Sequence, residues 1–535
     1  MQFDPLYHPY PSRRSSVYAK NGVVATGQPM AAQAGLAILR QGGNAIDAAI
    51  ATAAALTVVE PTANGIGGDA FALVWTKGEL HGLNSSGPAP MAISIEALAK
   101  AGVTEIPKYG FIPVTVPGAP AAWAELSRRF GRLPFTEVLR PAIELAENGY
   151  AITPNLGYFW NRAAAAYSQG LKGEEFKHWF ETFAPGGKAP QVGDIQRLPD
   201  HARTLQLIAE TKAEAFYRGE LAEKIDAFSR KHGGYIRKED LAAFKPEWVK
   251  PISVDYRGYK VHEIPPNGHG LVALIALNIL KGFEFSERDT VETYHKQIEA
   301  IKLAFADGLK YIADPRAMSV RVEDLLSEAY AAERRKLIGR TAITPEPGQP
   351  PKGGTIYLCT ADGEGNMVSY IQSNYMGFGS GLVVPGTGIG LHNRGHNFVL
   401  DPNHDNCLAP GKKPYHTIIP GFLTKDNQAV GPFGVMGGFM QPQGHLQVVM
   451  NTVDFHLNPQ AALDAPRWQW MEGKVVEMEH STPAHIVDAL ARRGHSVKWA
   501  LGSGGFGRGE IIWRLENGVL VAGTEPRTDG QVAAW

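Results

Sequence analysis

Cysteine is scarce. Cys359 and Cys407 are the only two in 535 residues, which is no disulfide framework, and their spacing is not that of metal ligands. Both read as buried small hydrophobes. Excess charge of either sign is also missing: 52 Lys and Arg face 53 Asp and Glu, a net charge of −1. A basic surface for nucleic acid or an anionic membrane is therefore not expected. Long apolar runs are lacking too. The most apolar early stretch, 45–59, carries Asp47 and falls short of the roughly 20 residues a membrane span needs. The start, Met1-Gln2-Phe3-Asp4-Pro5, does not have the basic-then-apolar order of a signal peptide. The expectation is a soluble, cytoplasmic protein. The rest is ordinary for a globular chain, 44% apolar and 20% charged, which excludes disordered, collagen-like and coiled-coil classes. A chain this long buries a large core without covalent staples.

What is present has a readable order. A short strand, 22–26, precedes a helix over 31–40 that Gly42-Gly43 ends. Asn44 caps an Ala-rich helix over 45–59 whose lack of charge marks it as buried on most sides. Gly65-Ile66-Gly67-Gly68-Asp69 then feeds a strand over 70–75. Helical patterns dominate 119–245, with Pro- and Gly-rich breaks at 184–196. The segment 251–264 alternates like one strand. Pro265-Pro266-Asn267-Gly268-His269-Gly270 opens a helix to about Leu280, and another covers about 290–312. From 315 to 354 the chain turns charged and then Pro/Gly-rich, the composition of an exposed, mobile tail. After Thr355 strands and turns are expected to alternate to Trp535. No internal repeat is found, and the natural boundary lies between Gly354 and Thr355.

Two elements carry chemistry. Residues 355–361 and 367–373 are β-rich and flank the turn residues 362–366, a hairpin signature. Centring the turn on Glu364 places Thr355 opposite Ser373, with Cβ atoms about 5 Å apart. Two hydroxyls then face each other directly after Gly353-Gly354. Separately, Gly437-Gly438 follow a strand-like run, and successive backbone N–H groups in such a turn can form an oxyanion hole. Taken alone, each is better read as a plain hairpin or a tight turn.

Together with other short motifs they gain meaning. Gly42-Gly43-Asn44-Ala45-Ile46-Asp47-Ala48-Ala49, Gly67-Gly68-Asp69, Val116-Pro117-Gly118, Pro265-Pro266, Glu299-Ala300 with Ala306-Asp307, Asp314-Pro315, Pro410-Gly411-Lys412-Lys413-Pro414, Gly437-Gly438 and Ala465-Pro466-Arg467 fall in the order seen in γ-glutamyltranspeptidases. The chain resembles that family from about residue 20 to its end. The resemblance implies an α/β fold, the four-layer αββα sandwich of N-terminal nucleophile hydrolases, built jointly from a large chain, 1–354, and a small chain, 355–535, of one precursor. It implies self-cleavage between Gly354 and Thr355. Thr355 becomes the nucleophile, Ser373 supports it and Gly437 and Gly438 form the oxyanion hole. Before the cut the Thr355 nitrogen is an amide. Afterwards it is an α-amine of pKa about 7.7–8.0, a suitable base for its own hydroxyl. No cofactor or metal is implied, and the partners are a small-molecule amide and the sister chain. The sequence is compatible with a homodimer and does not decide it.

The likeness is weakest where substrate would sit. The family's Thr-Thr-His run is Thr355-Ile356-Tyr357 here. Ser86 stands where an Arg clamps the substrate α-carboxylate, and Asn397 where an acid holds the α-ammonium. Tyr375 replaces an Asn at the entrance, and His416-Thr417 replace a Ser-Ser pair. Arg394 stands where Gln is usual, and an Arg binds carboxylates as a fork. This set resembles the subgroup with oxamate amidohydrolases and bacterial γ-glutamyltransferase-like proteins. The leading expectation is a small carboxylated amide, oxamate-like. Against it stand γ-glutamyl peptides including glutathione, a cephalosporin-type acylase substrate, and an unprocessed relative that only binds a ligand. Whether water or an amine accepts the acyl group is left open.

Three other signals are set aside. Gly502-Ser503-Gly504-Gly505-Phe506-Gly507 fits a dinucleotide pattern, but a strand follows it where a helix must. His392, His396 and His404 with Asp401 and Asp405 could be argued into a metal site, but the histidines show no H-E-x-x-H or other metal spacing. Arg13-Arg14 reads as a solvated pair in a flexible arm.

Overall fold

The computed structural model describes Tyr10, residues 14–345 and residues 354–535. Nineteen strands are found among them. The first nine are β1 (Val17–Ala19), β2 (Gly22–Thr26), β3 (Asp69–Thr76), β4 (Glu79–Ser85), β5 (Tyr150–Ala151), β6 (Ile195–Gln196), β7 (Glu247–Val249), β8 (Ile252–Tyr256) and β9 (Tyr259–Glu263). After them come β10 (Gly354–Asp362), β11 (Met367–Tyr375), β12 (Gly421–Lys425), β13 (Gln428–Met436), β14 (Trp468–Glu472), β15 (Val475–Glu479), β16 (Ser496–Ala500), β17 (Arg508–Arg514), β18 (Leu520–Thr524) and β19 (Gln531–Ala534). Two seven-stranded sheets dominate, in the orders β19-β2-β10-β11-β3-β4-β7 and β1-β18-β17-β13-β12-β9-β8.

The sheets face each other. Phe71, Tyr357 and Ile371 of the first pack with Ile418, Phe422, Met436 and Ile512 on the second side. The outer face of the first sheet, including Ile356, Leu358 and Tyr370, packs on the helix Ala45–Val59. The second sheet is covered by the helices Gly270–Leu280, Val291–Tyr311 and Met440–Val453. Helices, sheet, sheet, helices is the αββα order, an α/β fold. Each sheet contains strands from both sides of residue 354.

Local chemistry fixes the elements nearest Thr355. Gly42 takes φ +93°, a value that favours glycine at a helix end. Asn44 then accepts bonds from the Ile46 and Asp47 nitrogens, and Asp47 accepts from the Asn44 nitrogen at 3.1 Å, a capping box. The hairpin β10–β11 has the expected register: Ile356 pairs with Gln372 and Ala361 with Met367. Its turn is organised by Asp362, whose carboxylate accepts from Glu364 N, Asn366 N and Asn366 Nδ2, and also from Ala45 N at 2.9 Å. One side chain thus ties the hairpin to the helix behind it.

Several expectations need correction. Residues 251–264 form two strands, β8 and β9, because Arg257 and Gly258 both take positive φ, +51° and +82°, the geometry of a tight hairpin turn. Residues 315–345 are no loose tail. They hold helices Val322–Leu325 and Glu328–Arg335, with Arg334 Nε on Asp307 at 3.0 Å and Ile343 N on Glu299 at 2.9 Å. The remainder of the expected tail, 346–353, lies outside the described residues. The part after Thr355 contains the helices Met440–Val453, Pro459–Asp464 and Ala484–Arg492. The first of these is buried all round, so no amphipathic period marks it. Its Pro442 falls in the first turn, where the missing N–H costs nothing. Arg14 donates to the carbonyls of Glu525 and Thr528 and is not a solvated arm; Arg13 lies outside the described residues. Cys359 is buried, while Cys407 is only partly so. No helix among the described residues is long and apolar enough to cross a membrane.

Asp362→Ala removes four bonds to a charged acceptor and leaves the Ala45 nitrogen without its partner. The expected loss is about 3 kcal/mol or more, measured as a shift in denaturant midpoint against wild type. A shift worth less than about 0.5 kcal/mol, the range of an ordinary surface change, would deny Asp362 this role.

Candidate functional site

Alternation along the strands puts Tyr357, Cys359 and Ala361 on the face between the sheets, and Thr355 with them. Ser373 follows Ile371 onto the same face of β11, and Asp69 precedes Phe71 on the same face of β3. The register pairs Ser373 with Asp69, and a bulge between Gly354 and Ile356 sets Thr355 beside Ser373. The two hydroxyl oxygens are 3.2 Å apart, and Ser373 Oγ accepts from Tyr375 N at 2.7 Å. Thr355, Ser373 and Asp69 are therefore side by side on three adjacent strands, all fully buried. In the continuous chain the Thr355 nitrogen is still a peptide amide.

Gly437 and Gly438 come from the facing sheet. They follow the last residue of β13 with φ +131° and +61°, and the helix Met440–Val453 starts two residues on. Gln441 in its first turn accepts from Ile419 N at 2.9 Å. That bond joins the Gly-Gly turn to the 416–419 loop, and His416 joins the loop to Asp69.

Asp69 is the centre of the polar half of the site. Its Oδ2 accepts from Arg394 Nε at 2.9 Å and from His416 Nε2 at 2.7 Å, with His392 Nδ1 at 3.3 Å. Arg394 Nη2 reaches Oδ1 at 3.3 Å, Arg394 Nη1 donates to Thr417 Oγ1 at 2.7 Å, and the guanidinium lies over the Tyr375 ring at 4.5 Å. The Tyr375 hydroxyl donates to Asn397 Oδ1 at 2.5 Å, and Tyr375 itself takes φ +74°, rare for a bulky residue. Burial alone would raise the Asp69 carboxyl, but Arg394, then His416 and His392, hold it well below the usual carboxylate range. Burial and the Arg394 charge push His416 down to about 4 against the pull of Asp69, so it is neutral at pH 7.

Five residues singled out for substrate, Arg394, Tyr375, Asn397, His416 and Thr417, thus form one connected group. Ser86 is one step removed. Its hydroxyl bonds Asn84 Oδ1 at 2.7 Å and accepts from Asn267 Nδ2 at 3.2 Å, and Asn267 O accepts from His416 N. Sequence reasoning quoted Asp69 only within a glycine motif and missed that it organises the group. The signal was available: Asp69 is the one charged residue between Pro61 and Thr76, opening a fully buried strand, and a buried carboxylate must find cations. The residues set aside as a metal set are dispersed: His396 bonds Ile106 O, His404 Nδ1 meets Asn406 N, and Asp405 meets Ser319. A different trio, His295, Glu299 and His495, is close-packed, with the Lys302 ammonium 2.7 Å from Glu299.

The family model for Gamma-glutamyltranspeptidase matches residues 31–535. The chain is 34% identical to the glutathione hydrolase-like YwrD proenzyme of Bacillus subtilis, over 96% of this chain and 98% of that protein. It is also 34% identical to the oxamate amidohydrolase proenzyme of Klebsiella pneumoniae, over 97% and 100%. Among solved structures, a cephalosporin acylase from Bacillus halodurans superposes with a TM-score of 0.96 at 66% identity, covering 100% of this chain and 99% of that one. The fold and these likenesses define an amidohydrolase-type enzyme of the N-terminal nucleophile hydrolase class. Within that class, the chain belongs to the γ-glutamyltranspeptidase family.

Arg394→Ala would leave Asp69 buried without its counter-ion, a change that costs about 3–5 kcal/mol. The carboxyl would then sit above its unfolded value. A group raised in the folded state stabilises at low pH and loses that contribution as pH rises. Thermal melts should therefore show a large deficit at neutral pH that shrinks on acidification toward pH 4. A deficit that does not depend on pH would mean that Asp69 is not balanced by Arg394.

Proposed function

We propose that this chain is a proenzyme that cuts itself between Gly354 and Thr355, and that the product hydrolyses amides of small acyl groups bearing a carboxylate but no α-ammonium, oxamate being the shortest example. The observation that carries the reading is the Thr355–Ser373 hydroxyl pair beside the Asp69–Arg394 group. In the cut, Thr355 Oγ attacks the Gly354 carbonyl carbon, the C–N bond breaks, and the nitrogen keeps the hydroxyl proton. The Thr355 amine is free at that point; water then hydrolyses the resulting ester, which returns the hydroxyl to Thr355 and leaves Gly354 as a carboxylate. In turnover the amine takes the hydroxyl proton as Oγ attacks the substrate amide, and passes it to the leaving nitrogen. Water releases the acyl group. The Gly437 and Gly438 N–H groups lie at a helix N-terminus on the facing sheet, a setting that favours a developing oxyanion.

The substrate side follows from charge. Asp69 and Thr417 account for three of the five Arg394 N–H groups, which leaves two for a carboxylate among the described residues. For an α-ammonium, Asn397 offers no charge, and Asp69 is already neutralised. A γ-glutamyl group carries an ammonium and a carboxylate on its α-carbon; the matching glutaryl group lacks only the ammonium. The 66% likeness to a cephalosporin acylase favours a second reading in which the same acyl chemistry is removed from a larger amine.

Denaturing mass measurement should show two chains, the small one starting at Thr355, while Thr355→Ala stays one inactive chain. A Thr355→Ala protein that still breaks at this bond would sink the mechanism. On kcat/KM, glutaryl anilide and oxamate should exceed γ-glutamyl anilide, by about 10–10² for one unpaired ammonium at about 1.5–3 kcal/mol and 1.4 kcal/mol per tenfold. Glutathione ahead of both would return the enzyme to γ-glutamyl substrates. Gly438→Ala strains a left-handed position and shifts a donor, so turnover should fall about 10²–10³-fold; normal turnover in a cut, folded variant would remove this turn from the site.

A further inference from the structure

The glycine-rich run Gly502–Gly507 leads into the reaction centre. Gly507 takes φ +73°, and a Cβ on Gly437 would come within 3.0 Å of its Cα. The next residue, Arg508, opens β17 in register with Met436, the residue before Gly437. Arg508 Nη1 donates to Glu60 Oε1 at 2.9 Å, and its guanidinium lies over the Phe159 ring at 4.7 Å. Glu60 follows the helix Ala45–Val59 and belongs to the side of the first sheet. A Cβ on Gly27 would meet Ile356 Cδ1 at 3.3 Å and Glu60 Oε2 at 3.6 Å, so Glu60 sits close to the residue that follows Thr355. The Glu60–Arg508 pair therefore bridges the two sheets at the end that carries Thr355 on one and the Gly437 turn on the other.

Strand order gives this pair a side. In the first sheet, Thr355 on β10 has Ser373 on β11 and Asp69 on β3 to one side, and β2, which runs into Gly27, to the other. In the second sheet, the Gly437 turn after β13 has β12 and the preceding loop with His416 and Thr417 to one side, and β17 with Arg508 to the other. An amide held at Thr355 with its acyl group against the Asp69–Arg394 group therefore runs its amine toward Arg508. That side opens outward: Gly504, Gly505 and Tyr158 are exposed, and Arg508 and Phe159 are partly so.

Arg508 is also little used by the protein itself. Arg527 spends its N–H groups on Glu479, Glu525 and the Leu463 and Ala465 carbonyls, and Arg467 on Glu525 and the Phe506 and Gly507 carbonyls. Arg508 spends one N–H of five on Glu60, which leaves four without a hydrogen-bond partner among the described residues. A strut between sheets would use the two-pronged fork that suits a carboxylate. Glu60 is a weak partner as well. Its Oε2 is buried with no hydrogen-bond partner among the described residues. Burial pushes the carboxyl up to about 7 against the pull of Arg508, and Asp529 adds to the rise. Asp529 is itself taken up by the Asn155 and Leu156 nitrogens at a helix N-terminus. At neutral pH the Arg508 charge is thus only partly cancelled.

We propose that Arg508 forms a second anion subsite, on the amine side of the scissile bond, and that the preferred leaving amine carries its own carboxylate, as an amino acid or a carboxylated ring does. This rests on the reading of Thr355 as nucleophile with the acyl group on the Asp69 side. The remaining N–H groups of the guanidinium take the carboxylate, the Phe159 ring offers a flat face to the body of the amine, and Gly504 and Gly505 keep the approach open. Arg508 is then a specificity-determining residue that takes no part in bond breaking.

Two anilides of matched shape test this: glutaryl-4-aminobenzoate and its neutral counterpart glutaryl-4-aminobenzamide. Wild type should give a kcat/KM for the carboxylate about 10–10² times that for the carboxamide, carried mainly by KM. Arg508→Gln is made together with Glu60→Gln, so that no buried carboxylate is left without its cation, and Glu60→Gln alone is the reference. The single variant should keep the preference and the double variant should lose it. Equal kcat/KM for the two anilides in wild type, a comparison that needs no variant to fold, would overturn the subsite. So would a double variant that keeps the wild-type ratio. Cleavage of oxamate but of no anilide would overturn the subsite and leave the acyl-side reading standing. Cleavage of γ-glutamyl but not glutaryl anilides would overturn the acyl-side reading, and the same pair of amines, compared as γ-glutamyl amides, then decides the subsite. An enzyme that cleaves none of these amides would overturn both.

Discussion

The site depends on β10 lying in the interior of a sheet. Leu358–Asp362 pair with β2 on one side, and Ile356–Ala361 pair with β11 on the other. The strand that carries Thr355 is therefore held from Ile356 to Asp362 by ladders to β2 and β11 that do not depend on the bond between Gly354 and Thr355. Those ladders, and the Asp362 turn at the far end, fix where the Thr355 hydroxyl points. A break before Thr355 would free a terminus without freeing the strand. That is the condition for an N-terminal residue to serve as a fixed nucleophile, since placement to within a fraction of an ångström matters to turnover.

The second constraint is electrostatic. Placing a carboxylate on the inner face of β3 forces a complement of donors around it, and the chain draws these from three separate segments: His392 and Arg394, His416 and Thr417, and the β3 strand itself. The same arrangement is the physical basis of the proposal that a γ-glutamyl zwitterion would suit this pocket poorly. Asp69, paired in register with Ser373, is already engaged by a guanidinium and two imidazoles, and Ser86 and Asn397 are engaged with Asn84, Asn267, Tyr375 and Tyr415. Charges that are spent on one another cannot also hold both charged groups of a ligand.

Much of this was legible in the sequence because it is locally encoded. The capping box at Asn44, the helix Ala45–Val59 and the register that sets Thr355 against Ser373 each follow from a few neighbouring residues. The family's motif order carried the αββα fold. What escaped was encoded at a distance. Asp69 is a single letter whose meaning lies in residues more than 300 positions away. The helix Met440–Val453 is buried on all sides and so shows no period. The turn at Arg257-Gly258 requires a positive φ at an arginine, which composition does not announce. The segment 315–345 looks like a tail because it is charged, yet its charges are used: Asp307 and Glu299 on the helix Val291–Tyr311 fasten it.

The departure at Thr355-Ile356-Tyr357 shows how the two sheets share one constraint. Tyr357 turns into the space between them, where its hydroxyl meets Ser369 Oγ at 2.8 Å. Directly across, on β13, is Gly434; a Cβ there would lie 2.4 Å from the Tyr357 ring, closer than any real contact. A large residue two positions after the expected nucleophile is thus matched by the absence of a side chain on the opposite sheet, three positions before Gly437. Since Thr355 belongs to one sheet and the Gly437-Gly438 turn to the other, the gap between hydroxyl and N–H groups is the gap between sheets. Tyr357 against Gly434 is one of the contacts that sets it, so the size of the residue at 357 acts on the site through packing although it touches no reacting atom.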